Sequence, residues 1–155
     1  MEYLVIDTSE QGTWMSYDRD LDLKVEVGPE SADRVTLGAT WSAAAWVNDR
    51  GRQLPETYPR NVFGSCLLAA MGAPRHPYAG PILITGWDPV DEIVDLIAVD
   101  RVENAIDTLR YALGIDPDPD GVIHGSKWAK AMRQYAEKVR IAPTPTLRII
   151  SGGTR

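Results

Sequence analysis

The sequence has little with which to cross-link, anchor or export the chain. Its 155 residues include one cysteine, which excludes an internal disulfide and is usual in a reducing compartment. No stretch approaches the roughly 18–20 consecutive apolar residues of a membrane-spanning helix. The first residues lack the basic segment and long apolar run of a secretory signal. These absences predict a cytoplasmic protein that does not cross a membrane.

The chain also has no excess of positive charge with which to bind nucleic acid. Its formal net charge is −6, and affinity for phosphate backbones comes mainly from Lys and Arg. Residues 127–155 are the exception, with seven basic residues and one acidic residue. Lys127 and Lys130, on a predicted helix there, are candidate contacts to a partner, although a solvated helix face is the simpler interpretation. The charge therefore argues against nucleic acid as a partner.

No signature of a common catalytic or cofactor site is present. The sequence contains no G-x-S-x-G elbow, Walker loop or G-x-G-x-x-G, and its two histidines lack the partners of a zinc motif. No cofactor is therefore predicted, and the chain is expected to be non-enzymatic. A small hydrolase-type enzyme stays open as an alternative if carboxylates such as Asp88, Asp91 and Glu92 meet beside Trp87 in the folded chain.

What is present is an ordinary globular composition, with 44% hydrophobic and 25% charged residues. The length matches one domain, so residues 1–150 are predicted to form a single α+β domain and residues 151–155 a flexible tail. Strand patterns dominate the first half and helix patterns the second. This order predicts one mixed or antiparallel sheet covered by helices.

Strands are predicted where short apolar runs or alternating patterns occur. In Leu21–Val27 the apolar residues occupy every second position, which is typical of a half-buried strand. The strand candidates are Glu2–Asp7, Leu21–Val27, Val35–Leu37, Ala43–Asn48, Ile82–Thr85 and Thr146–Ile150.

Three helices are predicted from apolar residues at helical spacing. The first begins near Asn61, the second at Asp100 with a capping box to Glu103, and the third at Ser126. Gly114 is placed to end the second helix. Residues 88–99 fit either a helix or a strand, and a proline at the first turn favours the helix.

The segment between the last two helices resembles the start of a calcium-binding loop. Asp116, Asp118 and Asp120 alternate before Gly121, as in D-x-D-x-D-G. The twelfth position, however, is Lys127 instead of the glutamate that supplies two oxygens. An acidic turn stiffened by proline is the simpler interpretation, and a degenerate calcium-binding helix–loop–helix is the alternative.

Aromatic residues near predicted loops supply the remaining candidates for binding. Trp14, Trp41 and Trp87 lie near loops or strand ends, where an exposed ring could stack on a ligand or anchor a partner protein. Core packing is the simpler interpretation for each of them.

One stretch, covering residues 43–86, resembles a family of small uncharacterised proteins of phages and mobile elements. The resemblance is carried by Ala45-Trp-Val-Asn-Asp-Arg-Gly51, Asn61-Val-Phe-Gly64 with Leu67, and Gly80-Pro-Ile-Leu-Ile-Thr-Gly86. It implies a phage or prophage accessory protein in the host cytoplasm and assigns no catalytic residue. The sequence thus predicts a protein that binds a host protein or sequesters a small molecule, and it leaves self-association open.

Overall fold

A computed structural model describes residues 2–8, 12–16 and 22–143, and in them strands dominate the first half and helices the second. The strands are β1 (Glu2–Ile6), β2 (Gly12–Ser16), β3 (Ala32–Thr36), β4 (Ala43–Asn48), β5 (Ile82–Asp88) and β6 (Glu92–Val94). The helices are α1 (Leu23–Val27), α2 (Val62–Ala70), α3 (Val99–Leu113) and α4 (Lys127–Ile141), with 3-10 turns at Ala39–Trp41 and Gly51–Gln53. This arrangement confirms the predicted α+β fold.

The strands form one antiparallel sheet in the order β2-β1-β5-β4-β3. β6 forms a hairpin with β5. Gly86 pairs with both Ala43 of β4 and Val94 of β6, so β6 lies on the same edge of β5 as β1. Within the described residues, β3 therefore ends the sheet on one side.

One face of the sheet, here called the helical face, is covered by α2, α3 and α4. A row of buried apolar residues crosses it from β1 to β3 at matching register positions. The row consists of Leu4, Ile84, Ala45 and Val35. Buried side chains such as Phe63 of α2, Leu109 of α3 and Met132 of α4 pack against it in one core. Burial of this apolar surface is the main favourable contribution to folding.

The opposite face, here called the α1 face, has a smaller core. Tyr3, Val27 and Leu83 are fully buried there, and Trp46 packs against them. The Trp46 indole Nε1–H donates to the Thr85 hydroxyl at 3.0 Å, which satisfies a polar pair within this face. Since α1 has only five residues, it covers part of this face.

Asn61 fixes α2 to the sheet. Its side chain is fully buried, and its Nδ2 donates to the Ile6 carbonyl at 3.0 Å and to the Gly80 carbonyl at 2.9 Å. Its Oδ1 accepts from the Gly64 amide at 2.8 Å, which confirms the predicted N-cap. A Cβ at Gly64 would lie 2.6 Å from Ile82 Cδ1 and 2.7 Å from Asn61 Oδ1, so a larger residue would displace the capping side chain.

The prediction of a strand at Leu21–Val27 is wrong, because residues 23–27 form α1. The alternation placed Leu23, Val25 and Val27 on one face of a strand. In the helix, Leu23 and Val27 are one turn apart and pack on the sheet, while Val25 is 74% exposed. A short amphipathic helix with an exposed valine therefore mimics the alternation of a strand.

The helix favoured for residues 88–99 is also wrong. Asp88 Oδ1 accepts from the amides of Val90 and Asp91, at 2.8 and 2.7 Å, and forms the turn from β5 to β6. β5 continues past the predicted end at Thr85 and reaches Asp88. The side chain of Asp100 does not cap α3, because the helix begins one residue earlier with Ala98 at the cap.

Other expectations hold with shifted bounds or lie outside the described residues. β1, β4 and β5 and the helices at Asn61 and Ser126 are confirmed, and the strand near Val35 begins earlier, at Ala32. Gly114 ends α3 with a φ of 75°, as glycine readily can. The predicted strand Thr146–Ile150 and the tail 151–155 lie outside the described residues. Across the described ranges, no helix combines the length and apolarity needed to span a membrane.

Replacing Asn61 by alanine tests this docking contact. The substitution leaves the carbonyls of Ile6 and Gly80 and the amide of Gly64 without their partner in the core. We expect a loss of about 3–5 kcal/mol in the free energy of unfolding, since each buried orphan costs roughly 1–3 kcal/mol. Urea unfolding of Asn61→Ala and of Asn104→Ala, an exposed asparagine of α3, provides the matched comparison. Equal stability of the two variants would contradict the assigned role.

Candidate functional site

The outer edge of β3 carries backbone groups that the sheet does not use. The amide of Asp49 donates to the carbonyl of Ser31 at 3.0 Å, which makes this register pair a hydrogen-bonded one. Because such pairs alternate along antiparallel strands, Asp33 and Val35 also bond to β4, while Arg34 and Thr36 turn their N–H and C=O groups outward. No described residue is within hydrogen-bonding distance of these outward groups.

A cleft of about 380 Å³ opens on the α1 face beside this edge. We call it the tryptophan cleft, because Trp87 forms one wall. The guanidinium of Arg34 lies 4.5 Å from the centre of the Trp87 ring, a cation–π contact that holds both side chains at the mouth. Small and apolar residues form the rest of the lining, among them Leu37, Gly38, Ala39, Ala43 and Ala44.

A second cleft, of about 480 Å³, lies on the other side of the same strand. We call it the arginine–histidine cleft. The charged and titratable residues of its lining are Asp33 and Arg34 of β3, Asp49, Arg52, Arg75 and His76. Arg52 follows Gly51 in a 3-10 turn, and His76 lies in the proline-containing loop between α2 and β5. The cleft therefore brings together charges of both signs from three separate segments.

His76 is held as a neutral imidazole in this cleft. Its ring lies 4.8 Å from that of Tyr78, and the Tyr135 hydroxyl donates to its backbone carbonyl at 3.2 Å. Burial, and the positive charge of Arg52, lower the pKa of His76 from its usual value. Its Nε2 lies 3.5 Å from Arg52 Nη1, so the neutral ring presents an acceptor to the guanidinium.

The predicted tryptophan sites are not brought together. Trp87 is half-buried and lines the tryptophan cleft, as expected for a binding residue. Trp41 packs against the core of the helical face, and the Arg101 guanidinium covers its ring at 4.3 Å. Trp14 lies in β2, where it pairs with Leu4, and its binding role stays a prediction.

The predicted basic contacts lie away from both clefts. Lys127 and Lys130 are exposed in the first turn of α4. α4 covers the helical face, whereas Trp87 lies on the α1 face, so the lysines and Trp87 cannot share one small ligand. A role for the two lysines in binding stays a prediction.

The three aspartates of the predicted calcium loop each have a partner within the chain. Asp116 forms a two-point ion pair with Arg110, at 2.8 and 3.2 Å. Asp118 Oδ2 accepts from the His124 amide at 2.9 Å, and Asp120 Oδ1 from the Val122 amide at 3.1 Å. Throughout the described ranges, no group of three or more His, Cys, Asp and Glu residues is placed to hold a metal ion. The contacts observed are those of an ordered interhelical turn.

The carboxylates of the enzyme alternative are spread over a hairpin. Asp88 is used by the turn amides, and Asp91 and Glu92 are exposed at its tip, with Glu92 at a φ of 62°. These three residues do not line the tryptophan cleft, whose wall continues from Trp87 to Pro89. Trp87 therefore lines a cleft whose lining includes none of these three acids.

Reasoning from the sequence missed Arg34, Arg52 and His76 as parts of a site. Arg52 and His76 are 24 residues apart, and neither belongs to a recognisable motif. One signal was available for Arg34, because a charged residue in a short strand is typical of a sheet edge. No protein-family model matches the chain, and neither a curated protein nor a solved structure matches it.

The ion pair of Asp116 gives a pH-dependent prediction. Hydrogen bonding to Arg110 holds the pKa of Asp116 below its ordinary value of 3.8, so its stabilising contribution is present above that value and is lost as the pH falls through the lowered pKa. We expect Asp116→Asn to be less stable than the wild type at neutral pH and the difference to shrink in acid. Thermal unfolding from neutral pH to about pH 2.5 measures this, with the exposed Asp107→Asn as control. A difference independent of pH would contradict the assignment.

Proposed function

We propose that the protein is a non-enzymatic binding protein that captures an extended segment of a partner protein along β3. The observation that carries the proposal is the outer edge of β3, whose amide and carbonyl groups at Arg34 and Thr36 have no partner among the described residues. An added strand would satisfy these groups, and such main-chain pairing supplies affinity in many peptide-binding domains.

The tryptophan cleft supports the same mode of binding. Side chains of paired residues lie on the same face of a sheet, so partner residues opposite Arg34 and Thr36 would project onto the α1 face. The cleft opens there beside both residues, and its size lies within the range of ligand sites. A partner segment with an apolar side chain at this position and an acidic one opposite Arg34 would match the cleft and the charge.

A foreign strand fits the edge better than a second copy of β3. Two copies of β3 overlap fully when they pair antiparallel about a two-fold axis through Arg34. This arrangement places the two Arg34 side chains opposite each other. Like charges in directly opposite positions destabilise strand pairing. Arg34 at the centre of the edge therefore disfavours self-pairing and favours an acidic partner.

The cellular setting of the proposal comes from the sequence. The resemblance of residues 43–86 to proteins of phages and mobile elements supports a phage or prophage accessory protein whose partner is a host protein. β4, the start of α2 and β5 all lie within this stretch, and they form the support on which β3 and the tryptophan cleft rest.

Thr36→Pro tests the edge directly. The Thr36 amide points outward, so proline removes a donor to an added strand and leaves the pairing of β3 with β4 intact. We expect linear peptides, selected from a displayed random library on the wild type, to bind this variant about tenfold more weakly or worse. Hydrogen exchange at the amides of Arg34 and Thr36 should slow when such a peptide binds.

Thr36→Val is the matched control, because it changes the side chain and keeps the amide. It should bind the selected peptides as the wild type does. A selection that yields no binding peptide, or peptides that bind Thr36→Pro as tightly as the wild type, would refute strand addition at β3.

Trp87→Ala tests the cleft separately from the edge. Removing the indole deletes the wall against which an apolar side chain of the partner would pack, so we expect about a tenfold loss of affinity for the selected peptides. Calorimetry with the selected peptide and with a version in which its apolar residue is alanine measures this loss. If the loss from Trp87→Ala and the loss from the alanine peptide add fully when both changes are combined, the indole and the apolar residue of the peptide do not touch.

A further inference from the structure

The arginine–histidine cleft contains a guanidinium that lacks a full set of acceptors. Arg52 Nε is buried and has no hydrogen-bond partner among the described residues. Within the described ranges, the one contact of Arg52 Nη1 is the long one of 3.5 Å with His76 Nε2. A buried donor without an acceptor is costly, and more so when it carries charge. Arginine stays protonated in proteins, so the cost cannot be removed by loss of the proton.

The described residues do not supply the missing acceptor. Asp33 and Asp49 line the same cleft, yet within the described residues no carboxylate reaches ion-pair distance of Arg52. The neutral imidazole of His76 offers a single lone pair, which Nη1 already faces. A planar oxyanion would accept two parallel hydrogen bonds from the Nε and Nη2 edge of the guanidinium, the geometry at which arginine excels.

The charges around Arg52 restrict which oxyanion fits. Arg52 and Arg75 contribute two positive charges, and Asp33 and Asp49 contribute two negative charges, while His76 is neutral. Arg34 also lines this cleft, but its guanidinium lies over the Trp87 ring on the α1 face. A phosphate or another multiply charged anion would meet both aspartates without enough positive charge to compensate. A molecule with one carboxylate and one ammonium group would leave the cleft neutral and give each charge of the protein a counterpart.

We infer that the arginine–histidine cleft binds a small zwitterion of the amino-acid type, with its carboxylate on Arg52 and its ammonium group toward Asp33 and Asp49. The volume of about 480 Å³ is more than large enough for a ligand of this size. Because Nε is shielded from water, binding requires Arg52 to turn this edge toward the cleft, and the long contact with His76 is weak enough to be exchanged for it. The ligand is bound without chemical change.

This site is independent of the proposed capture of a partner segment. The zwitterion would contact Arg52, Asp33 and Asp49, and it needs no contact with the outward amides of β3 or with Trp87, which does not line this cleft. Arg34 and Thr36 line both clefts. Either proposal can fail while the other stands.

The test is an NMR titration of the wild-type protein with glycine, acetate and methylammonium, followed through the ring signals of His76 and the Nε–H signal of Arg52. We expect glycine to shift both signals saturably. Acetate and methylammonium should each bind about tenfold more weakly or worse, because each lacks one of the two charge-assisted contacts. If glycine causes no saturable shift up to roughly 100 mM, a concentration far above the Kd of a specific site, the inference is overturned. Acetate affinity equal to that of glycine would overturn it too.

Variants then assign the contacts. Arg52→Lys keeps the positive charge but loses the planar fork, and Arg52→Gln loses both, so each should weaken glycine binding by tenfold or more. Arg50→Gln is the matched control, since Arg50 is an exposed residue of the same turn that does not line the cleft. Asp33→Asn and Asp49→Asn together should remove the preference for glycine over acetate. Wild-type glycine affinity in both Arg52 variants would overturn the inference.

Discussion

Three hydrogen bonds of the Asn61 side chain join parts of the chain that are far apart in sequence. Its amide nitrogen donates to Ile6 at the end of β1 and to Gly80 just before β5, while its oxygen caps α2 through Gly64. Backbone carbonyls at strand ends need donors once they are buried, and the first amides of a helix need an acceptor. One buried side chain meets both needs, and this fixes the helical layer in register with the centre of the sheet.

The position of the two clefts follows from this frame. α2, α3 and α4 pack on the helical face, so among the helices of the described residues the five-residue α1 is the one that covers the other face. Part of that face, near Trp87 and the start of β4, stays open and forms the tryptophan cleft. The loop that leaves α2 returns to β5 past β3 and carries His76 toward Arg52. Both clefts are thus consequences of where the helical layer stops.

Much of the frame could be predicted from the sequence, because it depends on local signals. Asn61 and Ser126 are caps with a short polar side chain before an apolar helical pattern, and Ala43–Asn48 is an apolar run before a turn. The secondary-structure predictions were wrong where a local pattern fits both a helix and a strand. Leu23–Val27 alternates like a strand, and residues 88–99 have the composition of a helix start, yet sheet pairing at Val94 decided otherwise.

The candidate sites were less predictable than the fold, for a physical reason. Trp87 could be proposed from its position beside a strand end, which is a local feature. Its partner comes from a distant part of the sequence, because Arg34 of β3 reaches the Trp87 ring of β5 across β4. Likewise, Arg52 and His76 meet only through the return of the loop to β3. A single sequence contains no signal for contacts that tertiary packing alone creates.

The alternation of a strand explains why two clefts of different chemistry share β3. The side chains of Asp33 and Val35 point to the helical face, and those of Arg34 and Thr36 point to the α1 face. All four residues line the arginine–histidine cleft, and Arg34 and Thr36 also line the tryptophan cleft. Charged side chains on an edge strand oppose pairing with other chains. In β3 these charged residues are Asp33 and Arg34, and they also contribute the polar groups of the clefts. Asp33 contributes to the polar cleft, and Arg34 closes over Trp87 in the apolar one. A five-residue edge strand can therefore separate two binding chemistries because its side chains alternate, while its outward backbone remains available to a third contact.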